Sequence, residues 1–170
     1  MLVTEEYKAQ LNLYHEENRL WGSGPRNKMP RIGKFIQENN VTEFVDYGCG
    51  KGDIMRIIFP CHVHSYDPGV PKWSADPSAA PYLICMDVLE HIEIELMDNV
   101  LKHIDSKFTR KALIGISSAP AKEFLPDGRN AHLTQRPTWW WIKKLQERFR
   151  IESAEFGAKN TSCVVTLSKV

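Results

Sequence analysis

Apolar residues in this chain follow two different periods, and the change from one to the other outlines its architecture. Residues 4–20 (TEEYKAQLNLYHEENRL) repeat at helical spacing. Tyr7, Leu11, Tyr14 and Leu20 make one stripe, Thr4 stands at the N-cap, and acids fill the first turn. Trp21-Gly22-Ser23-Gly24-Pro25 is the stop signal. A second helix is expected over 30–39, opened by Pro30 and carrying Ile32, Phe35 and Ile36. From residue 41 the period shortens. Apolar or alternating runs bounded by Gly, Pro and acids predict strands at 41–47, 62–66, 82–86, 111–117, 149–156 and 162–168. Helical patterns at 52–58, 93–105 and 138–147 lie between them. In the last of these Trp141 and Leu145 (i, i+4) face the core, with Thr138 as N-cap. Alternating strands and helices imply a parallel, doubly wound sheet. The final two strands, joined through Lys159-Asn160, read as an antiparallel pair. At 170 residues the chain is one domain, 1–170, with a helical cap (1–40) ahead of a core (41–170).

The chemistry concentrates where the first strand ends. In VDYGCGKGD the apolar run from Val41 to Val45 meets Asp46, and Gly48, Gly50 and Gly52 then occupy every second position before the apolar turn Ile54 to Phe59. A strand, a glycine loop and a helix form a cradle for a nucleotide-like ligand, because glycine lets the backbone turn tightly and approach closely. The spacing is G-x-G-x-G, not the G-x-G-x-x-G of dinucleotide sites, and no Ser or Thr follows Lys51 as a phosphate loop requires. Two later segments end in acids. HVHSYD (62–67) closes on Asp67, about 20 residues past the first glycine, where a carboxylate can accept hydrogen bonds from ribose hydroxyls. YLICMDVLEHIE (82–93) is a buried apolar strand running into Asp87 and Glu90-His91.

The acid-capped strand with G-x-G-x-G resembles motif I of the class I S-adenosylmethionine (SAM) dependent methyltransferases, and the D-V-L-E-H run resembles their motif IV. The resemblance covers roughly residues 40–170. It implies a Rossmann-like class I methyltransferase fold with a mostly parallel doubly wound sheet and a C-terminal antiparallel strand pair at its far edge. It implies SAM as cofactor, held by Asp46, Gly48, Gly50, Asp67 and Asp87. One departure stands out. Only 14 residues, with Pro68, Pro71, Pro77 and Pro81, separate Asp67 from Tyr82. That length predicts an irregular loop and a shortened or absent third strand. It removes the usual place of the family's adenine-contacting acid and leaves Asp76 as a weak candidate, while Trp73 either stacks on the adenine or plugs the gap left by the missing helix.

The acceptor side is expected from 118–137 (SAPAKEFLPDGRNAHLTQRP), a long loop rich in donors and acceptors, and from Trp139 or Trp140 at its end. Arg129, Asn130 and Trp140 are the substrate-binding candidates; the tryptophans serve equally as packing. His132 and His91 are the catalytic candidates, His132 as a base or as a loop-structuring residue. Asp87, Glu90 and His91 at i, i+3, i+4, with His132 opposite, also make a possible divalent-metal set. That arrangement is similar to the small-RNA 3′-terminal 2′-O-methyltransferases, with Asp87 in place of their first glutamate. The alternative reading of Glu90-His91 is an acid at a helix N-terminus beside a pocket-lining histidine, and no metal ligand is assigned.

Composition adds constraints. Lys and Arg number 22 and Asp and Glu 21, a net charge of +1, so no global field draws the chain to nucleic acid or membrane. Cys49, Cys61, Cys85 and Cys163 lack C-x-x-C spacing, and the chain shows neither an ~18-residue apolar run nor an N-terminal signal pattern. A reduced, cytoplasmic protein is expected, with no membrane partner and no signature of an oligomeric state. The resulting expectation is a SAM-dependent methyltransferase acting on O or N of a small polar acceptor, sugar- or nucleotide-like. Nucleic acid is a possible partner, and the alternatives are a metal-assisted RNA ribose 2′-O-methyltransferase and a non-enzymatic SAM-binding or partner-activating module. No N-P-P-Y-like motif follows the fourth strand, which by the same resemblance argues against methylation of base amino groups.

Overall fold

The computed structural model describes residues 1–17, 28–52 and 54–170. Two helices, α1 (Glu5–Glu17) and α2 (Met29–Glu38), precede the first strand. Then come β1 (Glu43–Tyr47), α3 (Ile54–Ile58), β2 (His62–Tyr66), β3 (Ala80–Met86), α4 (Met97–Ser106), β4 (Phe108–Ser117), α5 (Thr138–Gln146), β5 (Phe149–Phe156) and β6 (Ser162–Lys169). Leu20 and Trp21 to Pro25 lie outside the described residues, as does the Tyr14 side chain.

The six strands form one sheet in the order β2-β1-β3-β4-β6-β5. β2, β1, β3 and β4 run parallel, and β6 is antiparallel to both β4 and β5. The chain therefore leaves β1 in one direction to reach β2 and crosses back past it to reach β3. That reversal opens a crevice at the carboxyl ends of β1 and β3, where ligands bind in doubly wound sheets. Among the described residues no strand forms between Tyr66 and Ala80, only a 3-10 turn at Pro71–Trp73. The additional strand that the resemblance implies between β2 and β3 is absent, and β2 is the sheet's edge.

Strand alternation divides the core into two layers. Phe44, Val63, Tyr82, Ile84, Met86 and Leu113 pack against Ile32 and Phe35 of α2 and Met55 of α3. Val45, Tyr47, Leu83, Cys85, Ala112 and Ile114 face the other way, onto Val100, Leu101 and Ile104 of α4 and Trp141 and Leu145 of α5. Trp141 and Leu145 are fully buried, as their spacing requires, and Trp139 is exposed. Two local expectations are corrected. Thr138 does not cap α5: it is the first helical residue, and Pro137, extended at ψ 155°, stands at the cap. The helix expected from residue 93 starts at Met97, because residues 89–91 and 94–96 are separate 3-10 turns with extended backbone at Ile92 and Glu93. At the chain end, Lys159 and Asn160 both adopt positive φ, the tight reversal that returns β5 into β6.

Candidate functional site

The glycine loop is built by its neighbours. Gly48 and Gly52 have φ of 75° and 76°, and Gly50 has φ 55°. A Cβ on Gly48 would meet Val88 at 2.2 Å, and one on Gly52 would meet the Trp73 indole at 2.3 Å. Both positions thus require glycine twice over, for conformation and for close approach. Trp73 donates its indole N–H to the Lys51 carbonyl at 3.1 Å, so it braces the loop and fills the space beside it. The amides of Gly48 and Cys49 both donate to the Tyr66 carbonyl, at 2.7 and 3.0 Å, tying the loop to the end of β2.

Asp67 completes this cradle. Its carboxylate accepts from the Gly50 N–H at 2.8 Å and the Gly69 N–H at 2.9 Å. Asp46 is buried beneath, and desolvation, with Asp67 adding to it, pushes its pKa up to about 7. Asp87 closes the opposite wall with φ 54°, a left-handed conformation that Asp tolerates better than most residues. Lys28, buried ahead of α2, forms an ion pair with Asp87. Asp46, Asp67 and Asp87 thus stand at the carboxyl ends of β1, β2 and β3, with Lys28 paired to Asp87. Asp76 is turned elsewhere: its carboxylate binds His103 at 2.7 Å and Lys107 at 2.7 Å on the α4 side.

The acceptor side converges on three residues. Glu90, His91 and His132 bring one ligand atom each to within 4.8 Å of one another. The 118–137 loop reaches over β3 and β4 because Thr134 pins it, its N–H on the Glu90 carbonyl (2.9 Å) and its hydroxyl on the Ile92 carbonyl (2.7 Å). The His91 and His132 rings meet edge to face with centroids 4.8 Å apart. His91 Nδ1 lies 2.7 Å from the Ala131 carbonyl, and His132 Nδ1 lies 2.6 Å from the Ala119 carbonyl. A carbonyl only accepts, so Nδ1 carries the proton in both rings and Nε2 is the lone-pair nitrogen of the neutral form. Desolvation, then His132, pushes the His91 pKa down to about 4, leaving that ring neutral at pH 7. Glu90 is fully buried; its Oε1 accepts the Ser117 N–H at 2.7 Å, while Oε2 has no hydrogen-bond partner among the described residues. Burial, with Asp87 adding to it, raises the Glu90 pKa. Asp87 is not part of this trio: it adopts a left-handed backbone and its carboxylate pairs with Lys28.

Asn130 spends its amide inside the loop: Oδ1 accepts from the Ala121 and His132 N–H groups, both at 3.0 Å, and Nδ2 donates to the Ala121 carbonyl at 2.9 Å. It therefore positions His132. Arg129 pairs with Asp127 at 2.6 Å. Trp140 is half-buried, packs edge-on against Trp141, and lies under the Arg136 guanidinium.

The sequence pattern marks Tyr7 only as part of an apolar stripe and gives no signal of Lys28. The Thr4 N-cap holds α1 in place: its hydroxyl accepts the Tyr7 N–H at 3.1 Å, and it donates to Glu93 at 2.8 Å. Leu11 packs on Gly69, and Tyr7 is buried among Leu125 and Ala131 with its hydroxyl unpartnered among the described residues. Asp67 is among the charges that hold this phenol in its neutral form, after desolvation. α1 thus packs through Tyr7 on the 118–137 loop and through Leu11 beside Gly69, close to Asp67. Their partners are remote in sequence, Asp87 for Lys28 and Leu125 with Ala131 for Tyr7, so local pattern carries no signal of these contacts.

No family model and no curated protein sequence matches this chain. Solved structures do match in fold. The 1,6-didemethyltoxoflavin-N1-methyltransferase of Burkholderia thailandensis, with bound 1,6-didemethyltoxoflavin and S-adenosylhomocysteine, superposes with a TM-score of 0.69 at 14% identity, over 100% of this chain and 92% of that one. The magnesium protoporphyrin IX methyltransferase of Synechocystis PCC 6803, with bound S-adenosylhomocysteine, gives 0.65 at 15% identity, over 96% and 99%. An rRNA methylase of Escherichia coli gives 0.57 at 14% identity, over 99% and 78%. The shared feature is the Rossmann-like sheet with its C-terminal antiparallel pair, and the acceptors these three proteins are named for span a small heterocycle, a porphyrin and RNA.

Proposed function

We propose that this chain, which has the class I methyltransferase fold, binds SAM and methylates an oxygen or nitrogen of a small polar acceptor, sugar- or nucleotide-like. The observation that supports this reading is the facing of two half-sites across one crevice. A glycine loop tied to Asp67 lies on one side, and the Nδ1-anchored His91 and His132 lie on the other. The donor set fits the cofactor. The positive-φ loop at Gly48 and Gly50 gives it room, Asp67 offers a carboxylate to ribose hydroxyls, and Asp46 and Asp87 favour its cationic end. SAM would supply an electrophilic methyl group. His132, through Nε2, takes the proton from the acceptor; the Ala119 carbonyl holds its ring in that tautomer, and Asn130 holds its backbone. His91 lines the same pocket in neutral form, with Arg129 and Trp140 bordering the acceptor. The four free thiols fit a reducing, cytoplasmic setting. Among the described residues no helix is long and apolar enough to cross a membrane.

A second reading has its own support. Two imidazoles with Nδ1 fixed on carbonyls and a buried carboxylate oxygen without a partner are also the arrangement of a metal site with its outer hydrogen bonds in place. Glu90, His91 and His132 would then hold a divalent cation, which would supply a Lewis acid, and the acceptor would be an RNA ribose. One experiment separates the two: incubation with methyl-labelled SAM and a panel of nucleosides, nucleotides, sugars and short RNAs, with and without EDTA. Label entering a monomeric acceptor, and surviving chelation, is the expected outcome. Label confined to RNA, lost with EDTA and restored by Mn²⁺, would move the function to the second reading. Cofactor binding without transfer to any acceptor would leave the partner-activating module.

A further inference from the structure

We infer that Glu43, His62 and His64 form a second, separate divalent-cation site, of zinc-binding chemistry, at the end of the sheet remote from the crevice. His62 and His64 stand two residues apart on β2 and so project to the same face. Glu43 opens β1 and lies in register with His62, with Val45 opposite His64. Glu43, Val45 and Tyr47 share the face on which His62, His64 and Tyr66 project. The three side chains bring one ligand atom each to within 4.8 Å of one another. The two rings meet edge to face at 4.6 Å between centroids, and His64 Nε2 lies 2.8 Å from Glu43 Oε1. Ligand atoms each about 2.0–2.2 Å from one tetrahedral ion are roughly 3.3 Å apart. A modest turn of the exposed His62 ring closes the difference.

Chemistry and topology agree on the occupant. Two imidazoles and a carboxylate are the borderline donor set of zinc, which leaves a fourth position for water. The connection between β2 and β3 builds no third strand, so β2 is an edge and this face is open to an incoming ion. His62 is exposed, and the His64 and Glu43 side chains retain 22% and 39% of their accessibility. The site lies at the amino ends of β1 and β2, about 13 Å of strand rise from the glycine loop. An ion here clips the edge strand to its neighbour without entering the crevice.

The test is a Zn²⁺ titration of the full chain, following histidine ring resonances by NMR and heat by calorimetry. The His62 and His64 signals should shift together and saturate at one equivalent. His62→Gln with His64→Gln should weaken that event by at least about 10–100-fold, the range that loss of outer-sphere partners alone produces. Glu43→Gln, which keeps both rings, guards against a folding artefact and should weaken it less. Binding of S-adenosylhomocysteine should be the same in all three proteins. Zinc that shifts only the His91 and His132 signals, or whose binding at β2 survives the double substitution, would overturn the proposal.

Discussion

His132→Ala is expected to lower the methyl-transfer rate by about 10²–10⁴-fold, the usual contribution of a positioned base. Affinity for S-adenosylhomocysteine should hold, because the cofactor cradle assigned to residues 46–69 and Asp87 shares no side chain with His132. The structure also explains why the loss should be hard to compensate. The ring is oriented by the Ala119 carbonyl, its backbone by Asn130, and its face by His91. Asn130→Ala releases only the second of these, so it should lower the rate less and leave the pocket chemistry intact. Steady-state rates with binding measured separately decide the matter. A His132→Ala protein that is less stable but equally active per folded molecule would return His132 to holding the loop.

Gly48→Val should remove cofactor binding altogether and destabilise the domain. The backbone there has φ 75°, and a Cβ would lie 2.2 Å from Val88. A left-handed β-branched residue costs at least ~1–2 kcal/mol, and forcing atoms into a packed contact costs about 1–3 kcal/mol more. Denaturant unfolding reads the sum, and calorimetry reads the lost binding. A Gly48→Val protein of wild-type stability would contradict the loop geometry, and one that is destabilised but binds the cofactor as the wild type does would contradict the placing of the cofactor at this loop.

The skeleton of this molecule is legible in the sequence because its signals are local. An apolar run ending in an acid and then glycines specifies β1 and its loop. The 14 residues from Pro68 to Pro81 are too few for the usual helix and strand, which is why the absent third strand could be read without coordinates. Trp141 and Leu145, four apart, had to share a buried face. What escaped depends on distant partners. Lys28 has no motif; it matters because α2 carries it to Asp87. Asp87 reads as a member of a helical ligand set, but its φ of 54° breaks the helical spacing and its carboxylate pairs with Lys28. Asn130 reads as a polar loop residue open to a ligand, and only the folded loop shows its amide spent on Ala121 and His132. Thr138 has a capping side chain, but Pro137 fixes the approach of the chain and moves the helix start by one residue. The pairing of Glu43 with His62 and His64 likewise follows from strand register, which the sequence fixes only through tertiary packing.

The most direct measurement is calorimetric titration of the full chain and its Asp67→Asn and Asp67→Ala variants with S-adenosylhomocysteine. The wild-type chain should bind one equivalent. Asp67→Ala should bind about 10–100-fold more weakly, matching the 1–3 kcal/mol of charged hydrogen bonds lost. Asp67→Asn keeps a carbonyl for the Gly50 N–H and should fall between the two. Absence of binding by the wild-type chain, or equal affinity in all three proteins, would contradict the assignment of this crevice to SAM.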